Sequence, residues 1–302
     1  MVKVEYCALQ FGDIKIMRLI PSMFRPKDSI PAPEYSGTIV AIGSSVPTHL
    51  TVDTRVFGVI DTKALLTGAG ALCEYICLST TTDVIMPVPE NCTMEEAGGI
   101  SVGGIMAYLI CKNGGISENC DMRMLVNGAS GGCGTIFLQV AKAMGPKQIV
   151  ATCSTPNFEL VKSLGADKAF DYRDEKLLHQ RLAQEFGDRK FDIVVDLVGA
   201  QELYNKSPSF LKEAGVYVNI GDFTHGLWIT MFYWIMNCLR PVWLGGTPRK
   251  WIMFGPAAGP EAGVWVQNLV AEGKVKAVID RSVAFDQVLE VGSNLEKSDS
   301  SS

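Results

Sequence analysis

The stretch 125–145, LVNGASGGCGTIFLQVAKAMG, gathers five glycines around an abrupt change of pattern. Up to Asn127 the residues read as the end of an apolar strand. After Gly134 the apolar residues Phe137, Val140, Ala141 and Met144 recur at i, i+3, i+4 and i+7, which predicts a helix with one buried face. Glycines at 128, 131, 132 and 134 permit a tight turn and let a ligand approach backbone with no Cβ in the way. The helix start then offers N–H groups without intrahelical acceptors and a partial positive charge. Gly128, Ala129, Ser130, Gly131, Gly132, Cys133 and Gly134 together predict a cradle for a diphosphate. A glycine motif alone is weak evidence; the strand before it, the helix after it and a second strand ending at Ser154 supply the context it needs.

Outward from this turn, apolar runs alternate with helical patterns. IVATCS (149–154), AFDY (169–172), FDIVVDLVG (191–199) and VYVNIGD (216–222) are separated by NFELVKSLG, DEKLLHQRLAQEF and QELYNKSPSFLKEAG. Val- and Ile-rich runs without polar alternation suit strands covered on both faces. Their alternation with helices predicts an α/β fold with a doubly wound parallel sheet. The first ninety residues differ. GTIVAIGSSV, DTRVFGVI and ALCEYICLS are short strand candidates divided by Gly, Pro and Asp turns, the pattern of a small, mostly β domain. The predicted organisation is a substrate domain over 1–92 and a dinucleotide-binding domain over 93–240. A segment over 241–302 completes the sheet and returns to the first domain.

The tip of the second strand bears on which dinucleotide binds. NAD sites usually carry Asp or Glu there for the ribose 2′-hydroxyl. Here the tip reads ATCSTPNF, with Ser154, Thr155 and Asn157 and no carboxylate. Hydroxyl and amide groups can donate to a 2′-phosphate that a carboxylate would repel. Tyr172 stands near the adenosine ribose, and Arg173 beside it adds a positive charge. NADPH is the expected cofactor. Val198 and Gly199 follow another strand at its C-terminal end, and Asn219, Ile220 and Gly221 point to the nicotinamide side.

Composition bounds the rest. With 302 residues the chain holds two ordinary domains, each with a core. Net charge is −5 and no long Lys/Arg block occurs, which argues against nucleic acid as a partner. Nine cysteines are scattered without a CxxC, favouring free thiols in a reducing, cytoplasmic setting. Cys73 and Cys77 are expected on one face of a strand, too far apart for a disulfide. No secretory signal pattern opens the chain. The apolar stretch GLWITMFYWIMNCL (226–239) is too short for a transmembrane segment and is expected to be buried or to line a pocket. Contact with a membrane surface or a partner subunit is the other reading.

The combination VNGASGGCGT…QVAKAMG, FELVKSLGADKAFDYRDE, FDIVVDLVG and GVYVNIG resembles the medium-chain dehydrogenase/reductase superfamily, in its quinone oxidoreductase-like branch. The resemblance extends through PAPEYSGTIVAIGSSV, DTRVFGVID, GALCEYICLS and MEEAGGISVGGIMAY, and through WLGGTPRKW and LVAEGKVKAVIDRSVAFDQVLE. It implies a GroES-like first domain, a Rossmann second domain and, by analogy, a homodimer. Many of its members bind catalytic zinc. At their ligand positions this chain has Gln10, Pro33 and Val102, none of which can bind zinc, so no metal is expected. The chain also lacks the family's opening strands and its closing Gly-Lys-Val-Val strand, which predicts unpaired sheet edges.

Zinc-free members of the branch imply hydride transfer to a quinone or to a C=C conjugated to a carbonyl, hence a small, apolar, carbonyl-conjugated substrate. Gln10 and Phe11 occupy substrate-side positions. Tyr35 is the one candidate proton donor, although a Tyr in PEYSG is more often packed core. Asp13 and Lys15 read as a structural ion pair. His49, His179 and His225 show no triad spacing. Two competing readings stay open. One is a non-catalytic NADPH-binding sensor or interaction protein. The other is a pathway-specific enoyl reductase on a large apolar substrate, drawing on Trp228, Phe232, Tyr233 and Trp234. The GxxxGxG of Gly128, Gly132 and Gly134 with the YxxxK of Tyr172 and Lys176 also mimics short-chain dehydrogenases, but Tyr172 ends a strand rather than riding a long helix.

Overall fold

The computed structural model describes residues 1–9, 26–174, 177–220, 227–253 and 259–288. The chain divides into two compact units. One comprises Met1–Ile105 with Ala257–Ser302, the other Met106–Pro256.

In the first unit β1 (Val2–Ala8), β2 (Glu34–Ile39), β3 (Arg55–Val59), β4 (Tyr75–Ile76) and β5 (Val84–Pro87) form one antiparallel sheet in the order β4-β1-β2-β3-β5. β1 lies inside the sheet, running from Val2 opposite Ile39 to Ala8 opposite Glu34. The core beside the sheet is built from Val2, Tyr35, Ile39, Leu50, Val56 and Ile60. Helices are short here. α1 (Thr62–Leu66) starts on the Asp61 carboxylate, and α2 (Met94–Ala97) starts on a reciprocal Thr93–Glu96 capping box. The expected long strand through Cys73 and Cys77 shrinks to Tyr75–Ile76. Cys73 instead turns its thiol toward the carbonyls of Gly70 and Tyr75, so the two cysteines do not share a strand face. α3 (Ser101–Gly114) contains the boundary between the units, which falls after Ile105 rather than at residue 93.

The second unit carries the strand–helix alternation. Its elements are β6 (Arg123–Asn127), α4 (Gly132–Met144), β7 (Gln148–Cys153), α5 (Phe158–Ser163), β8 (Lys168–Asp171), α6 (Leu178–Phe186), β9 (Phe191–Asp196), α7 (Gln201–Lys206), β10 (Leu211–Asn219), α8 (Leu227–Leu239) and β11 (Lys250–Met253). The chain then returns to the first unit with α9 (Pro260–Ala271).

The six strands form a parallel sheet in the order β11-β10-β9-β6-β7-β8. Both faces are covered, as the unbroken apolar runs require. Val194 and Tyr217 pack with Leu182, Phe186 and Leu203 of α6 and α7. On the opposite face Ile193 and Val218 lie so close to Gly114 that an added Cβ would stand 2.6 Å from Ile193 Cδ1. α4 buries Phe137, Val140, Ala141 and Met144 as its spacing predicts, and Ile136 and Leu138 as well. It ends at Gly145, whose φ of 68° is the left-handed conformation in which a helix C-terminus closes without Cβ strain.

The apolar stretch near residue 230 departs from expectation. α8 is a helix whose Trp228 is 80% exposed and Phe232 56%, with Ile235 and Leu239 exposed on the same face. The following turn exposes Val242, Trp243 and Leu244. The expected buried segment is therefore an exposed apolar surface. Thr230 is buried, and a reciprocal amide pair between Asn237 and Gln201, 2.9 Å each way, ties the helix to α7.

Candidate functional site

In the parallel sheet β7 and β8 leave to one side of β6, and β9, β10 and β11 to the other. The crevice beyond the carboxyl ends of β6 and β9 is thus the topological switch point, where open α/β sheets bind ligands. Gly128 follows β6 with a φ of 78°, and an added Cβ there would stand 2.7 Å from Val198 Cγ2 in the loop after β9. The sequence separates these residues widely; the β6–β9 pairing brings them together.

Ala129 and the glycines shape the turn. Ala129 is fully buried and donates its N–H to Thr152 O at 3.0 Å, which pins the turn to β7. A Cβ on Gly134 would stand 2.5 Å from Gly128 O and 2.6 Å from Ala129 O, so this glycine lets the helix start press against the turn. Gly132 faces open space. The N-cap is Gly131, and no side chain caps α4. The Gly131 N–H is used inside the turn, donating to Gly128 O at 3.2 Å, so the donors at the helix start begin with residue 132. That arrangement fits a diphosphate: small residues where atoms approach, donors at the helix start, and no carboxylate in the turn.

A buried polar network holds the two loops together. The Gly128 N–H donates to Thr152 Oγ1 at 3.2 Å, and Thr152 donates in turn to Asn127 Oδ1 at 2.5 Å. Asn127 Nδ2 donates to Asp196 Oδ1 at 2.8 Å. Asp196, fully buried at the end of β9, also accepts from the N–H groups of Val198, Gly199 and Ala200 at 3.0, 2.9 and 2.7 Å, and from the Tyr217 hydroxyl at 2.6 Å. Gly199 needs its φ of 84° to fold the loop over that carboxylate. Burial, and then Asp196, push the Tyr217 phenol well above its usual value, so it stays a donor. None of Asn127, Thr152 and Asp196 is singled out by the sequence reading. The polar residue closing the apolar run FDIVVD was the available signal.

At the tip of β7, Ser154 Oγ lies 3.1 Å from Asn157 Nδ2, which donates to it. Tyr172 follows β8 in a turn, half exposed, with the Arg173 guanidinium 5.5 Å from its ring centroid. Asn219 is buried at the end of β10, and the Ile220 N–H donates to Asp196 O at 3.0 Å. Thus Gly128 to Gly134, Ser154, Asn157, Tyr172, Val198, Gly199, Asn219 and Ile220 all follow or end strands β6 to β10 at their carboxyl ends. Gly221, Gln10, Phe11, Asp13, Lys15, Lys176 and His225 lie outside the described residues.

The substrate-side candidate Tyr35 is corrected. It is fully buried on β2, its hydroxyl donates to Val84 O at 3.2 Å, and burial, with Asp83 adding, pushes its phenol well above the ordinary value. It packs the core rather than presenting a proton. Its neighbour Glu34, which the sequence reading did not single out, is a fully buried carboxylate accepting the Val102 N–H at 2.9 Å. Pro33 and Val102 offer no side-chain donor atoms for a metal. Among the described residues, no group of three His, Cys, Asp or Glu could hold a metal ion.

Comparison with known proteins bears on the family and the fold. Residues 132–246 match the zinc-binding dehydrogenase family, and residues 1–118 match the alcohol dehydrogenase GroES-like domain. The medium chain reductase pydE of Acremonium sp is 32% identical over 308 residues, covering 95% of this chain and 84% of that protein. The trans-enoyl reductase pgmF of Aspergillus terreus is 31% identical over 296 residues, covering 93% and 77%. Among solved structures, the quinone oxidoreductase from Coxiella burnetii superposes with a TM-score of 0.75 at 22% identity, covering 98% of this chain and 86% of that one.

Glycine turn, parallel sheet and GroES-like sheet define an oxidoreductase that uses a nicotinamide cofactor. The chain belongs to the medium-chain dehydrogenase/reductase superfamily.

Proposed function

We propose that the protein is an NADPH-dependent, zinc-independent reductase that delivers hydride to the C=C of an activated enone or enoyl substrate, or to a quinone. The observation that carries the reading is the uncapped, glycine-lined start of α4 beside a β7 tip whose own sequence, Ser154 to Asn157, holds no carboxylate. The resemblance to trans-enoyl reductases favours the C=C substrate, and a large apolar one suits a pathway-specific member.

NADPH would supply the hydride itself. Backbone N–H groups of residues 132–134 would hold the diphosphate, Ser154, Asn157 and Tyr172 the adenosine ribose, and Val198, Gly199, Asn219 and Ile220 the nicotinamide half. The Asp196 carboxylate holds the loop 198–200 to Asn127 and Tyr217, so that loop need not reorganise when the cofactor arrives. Zinc independence rests on the donor set. Pro33 and Val102 stand at ligand positions of the family, and the Val102 backbone is engaged with Glu34. Cys73, Cys77, Cys92, Cys111, Cys120, Cys153 and Cys238 are thiols outside any disulfide, in keeping with a reducing, cytoplasmic setting. Among the described residues no helix is long and apolar enough to cross a membrane. The exposed apolar face of α8 suits a homodimer contact.

The test is a titration of NADPH against NADH, followed by turnover on one quinone and one enone with and without a chelator. Tight NADPH binding with chelator-insensitive oxidation on the enone is expected. Binding without turnover across both would favour the sensor reading, and loss of turnover on chelation would refute zinc independence. Ser154→Asp is expected to shift the preference toward NADH by about tenfold or more, because a carboxylate at this position repels a 2′-phosphate and accepts a 2′-hydroxyl. An unchanged preference would place the 2′-phosphate elsewhere.

A further inference from the structure

The β7 tip has no carboxylate in its own sequence, yet the fold brings one to it from the neighbouring strand. Asp171 ends β8 in register with Cys153, the last residue of β7. Its carboxylate accepts the Thr155 N–H at 2.7 Å and the Thr155 hydroxyl at 2.5 Å. It also accepts the Arg173 N–H at 2.8 Å, Arg173 Nε at 3.3 Å and Arg173 Nη2 at 3.4 Å. Resting on the NADPH reading above, we propose that Asp171 is a positioning residue for cofactor choice: it fixes Arg173 beside the β7 tip as the receptor for the 2′-phosphate.

Three features of the geometry support this role over that of an NAD-selecting acid. First, a carboxylate offers about four lone-pair sites, and Asp171 already meets five donors. It has no capacity left for a ribose hydroxyl. Secondly, the pair is asymmetric toward solvent. The Asp171 side chain is 14% exposed and that of Arg173 55% exposed, so an arriving anion meets the cation before the acid. Thirdly, Asp171 takes only the Nε–Nη2 edge of the guanidinium. The Nη1 end is not part of the pair, and the plane is supported by the Tyr172 ring. A guanidinium held on one edge and one face is prepared to meet phosphate with its remaining donors. Thr155, which shares the same carboxylate, ties this assembly to Ser154 next to it. Hydrogen bonds from Thr155 and Arg173 hold the Asp171 carboxyl well below the ordinary range, so the latch stays ionised throughout the physiological range.

The test measures dissociation constants for NADPH and NADH by nucleotide fluorescence on wild type, Asp171→Asn, Asp171→Glu, Arg173→Gln and the double variant Asp171→Asn/Arg173→Gln. Asp171→Asn and Arg173→Gln should each weaken NADPH about five- to tenfold while NADH changes less than about twofold. The double variant should bind NADPH no worse than Arg173→Gln alone, because Asp171 acts through Arg173, and Asp171→Glu should recover part of the loss. A merely structural Asp171 would weaken both nucleotides equally, and a repelling Asp171 would tighten NADPH when neutralised; either result overturns the proposal. Should Asp171→Asn fail to fold, an unchanged NADPH/NADH ratio in Arg173→Gln overturns it as well. Wild type that binds neither nucleotide would bring down the cofactor reading beneath it. Wild type that prefers NADPH, with variants that keep the preference, would bring down this proposal alone.

Discussion

Asp196 shows how much of the site rests on single buried atoms. Five donors converge on its carboxylate from three stretches of chain: Asn127, the loop 198–200 and Tyr217. Asp196→Ala leaves these groups buried without an acceptor, and each orphan costs about 1–3 kcal/mol. Urea unfolding should therefore show a loss of about 3 kcal/mol or more, with weaker nucleotide binding; a loss under about 1 kcal/mol would mean water replaces the carboxylate. Cysteines make a second prediction. Burial pushes Cys92 and Cys153 up to about 11 and Cys111 up to about 12. Those folded values lie above that of an unfolded thiol, about 8.5. Their stabilising contribution is complete below the unfolded value and is lost progressively as pH rises from there to the folded values of about 11 to 12. The urea midpoint should fall over that window, and at pH 8 a thiol reagent should label exposed Cys77 and Cys238 before these three. The glycines and the bare β7 tip were legible in the sequence because their meaning is local. Asp171 and Asp196 were not, because their partners arrive through strand pairing.

At the scale of elements, periodicity read α4 correctly, since a helix that buries one stripe repeats its apolar residues at helical spacing. The same logic failed for α8. Hydropathy reports how much apolar surface a segment carries, not whether this chain covers it. Trp228, Phe232, Ile235 and Leu239 stay exposed although their composition suggested a core. Phe232→Glu should then change unfolding stability by no more than about 0.5 kcal/mol, as expected for a surface site. In sedimentation it should reduce self-association if α8 joins two copies. A stability loss of several kcal/mol would show that Phe232 packs inside the protein. The ALCEYICLS stretch erred in the opposite direction. β-propensity marked nine residues, and the sheet pairs only Tyr75 and Ile76, against Lys3 and Val2.

For the molecule as a whole, strand–helix alternation from residue 124 onward carried the parallel sheet, and short Gly-, Pro- and Asp-punctuated strands carried the antiparallel one. Strand order was beyond the sequence. It follows from β6 pairing with both β7 and β9, and that branching creates the crevice where the glycine turn meets Val198. The account's central claim is that this crevice seats a dinucleotide by its diphosphate. A crystal structure of the protein grown with NADPH tests it most directly. The account predicts diphosphate oxygens within hydrogen-bonding distance of the backbone N–H groups of residues 132–134, with the adenosine ribose against Ser154. A turn left empty, or a nucleotide bound elsewhere on the chain, would contradict it.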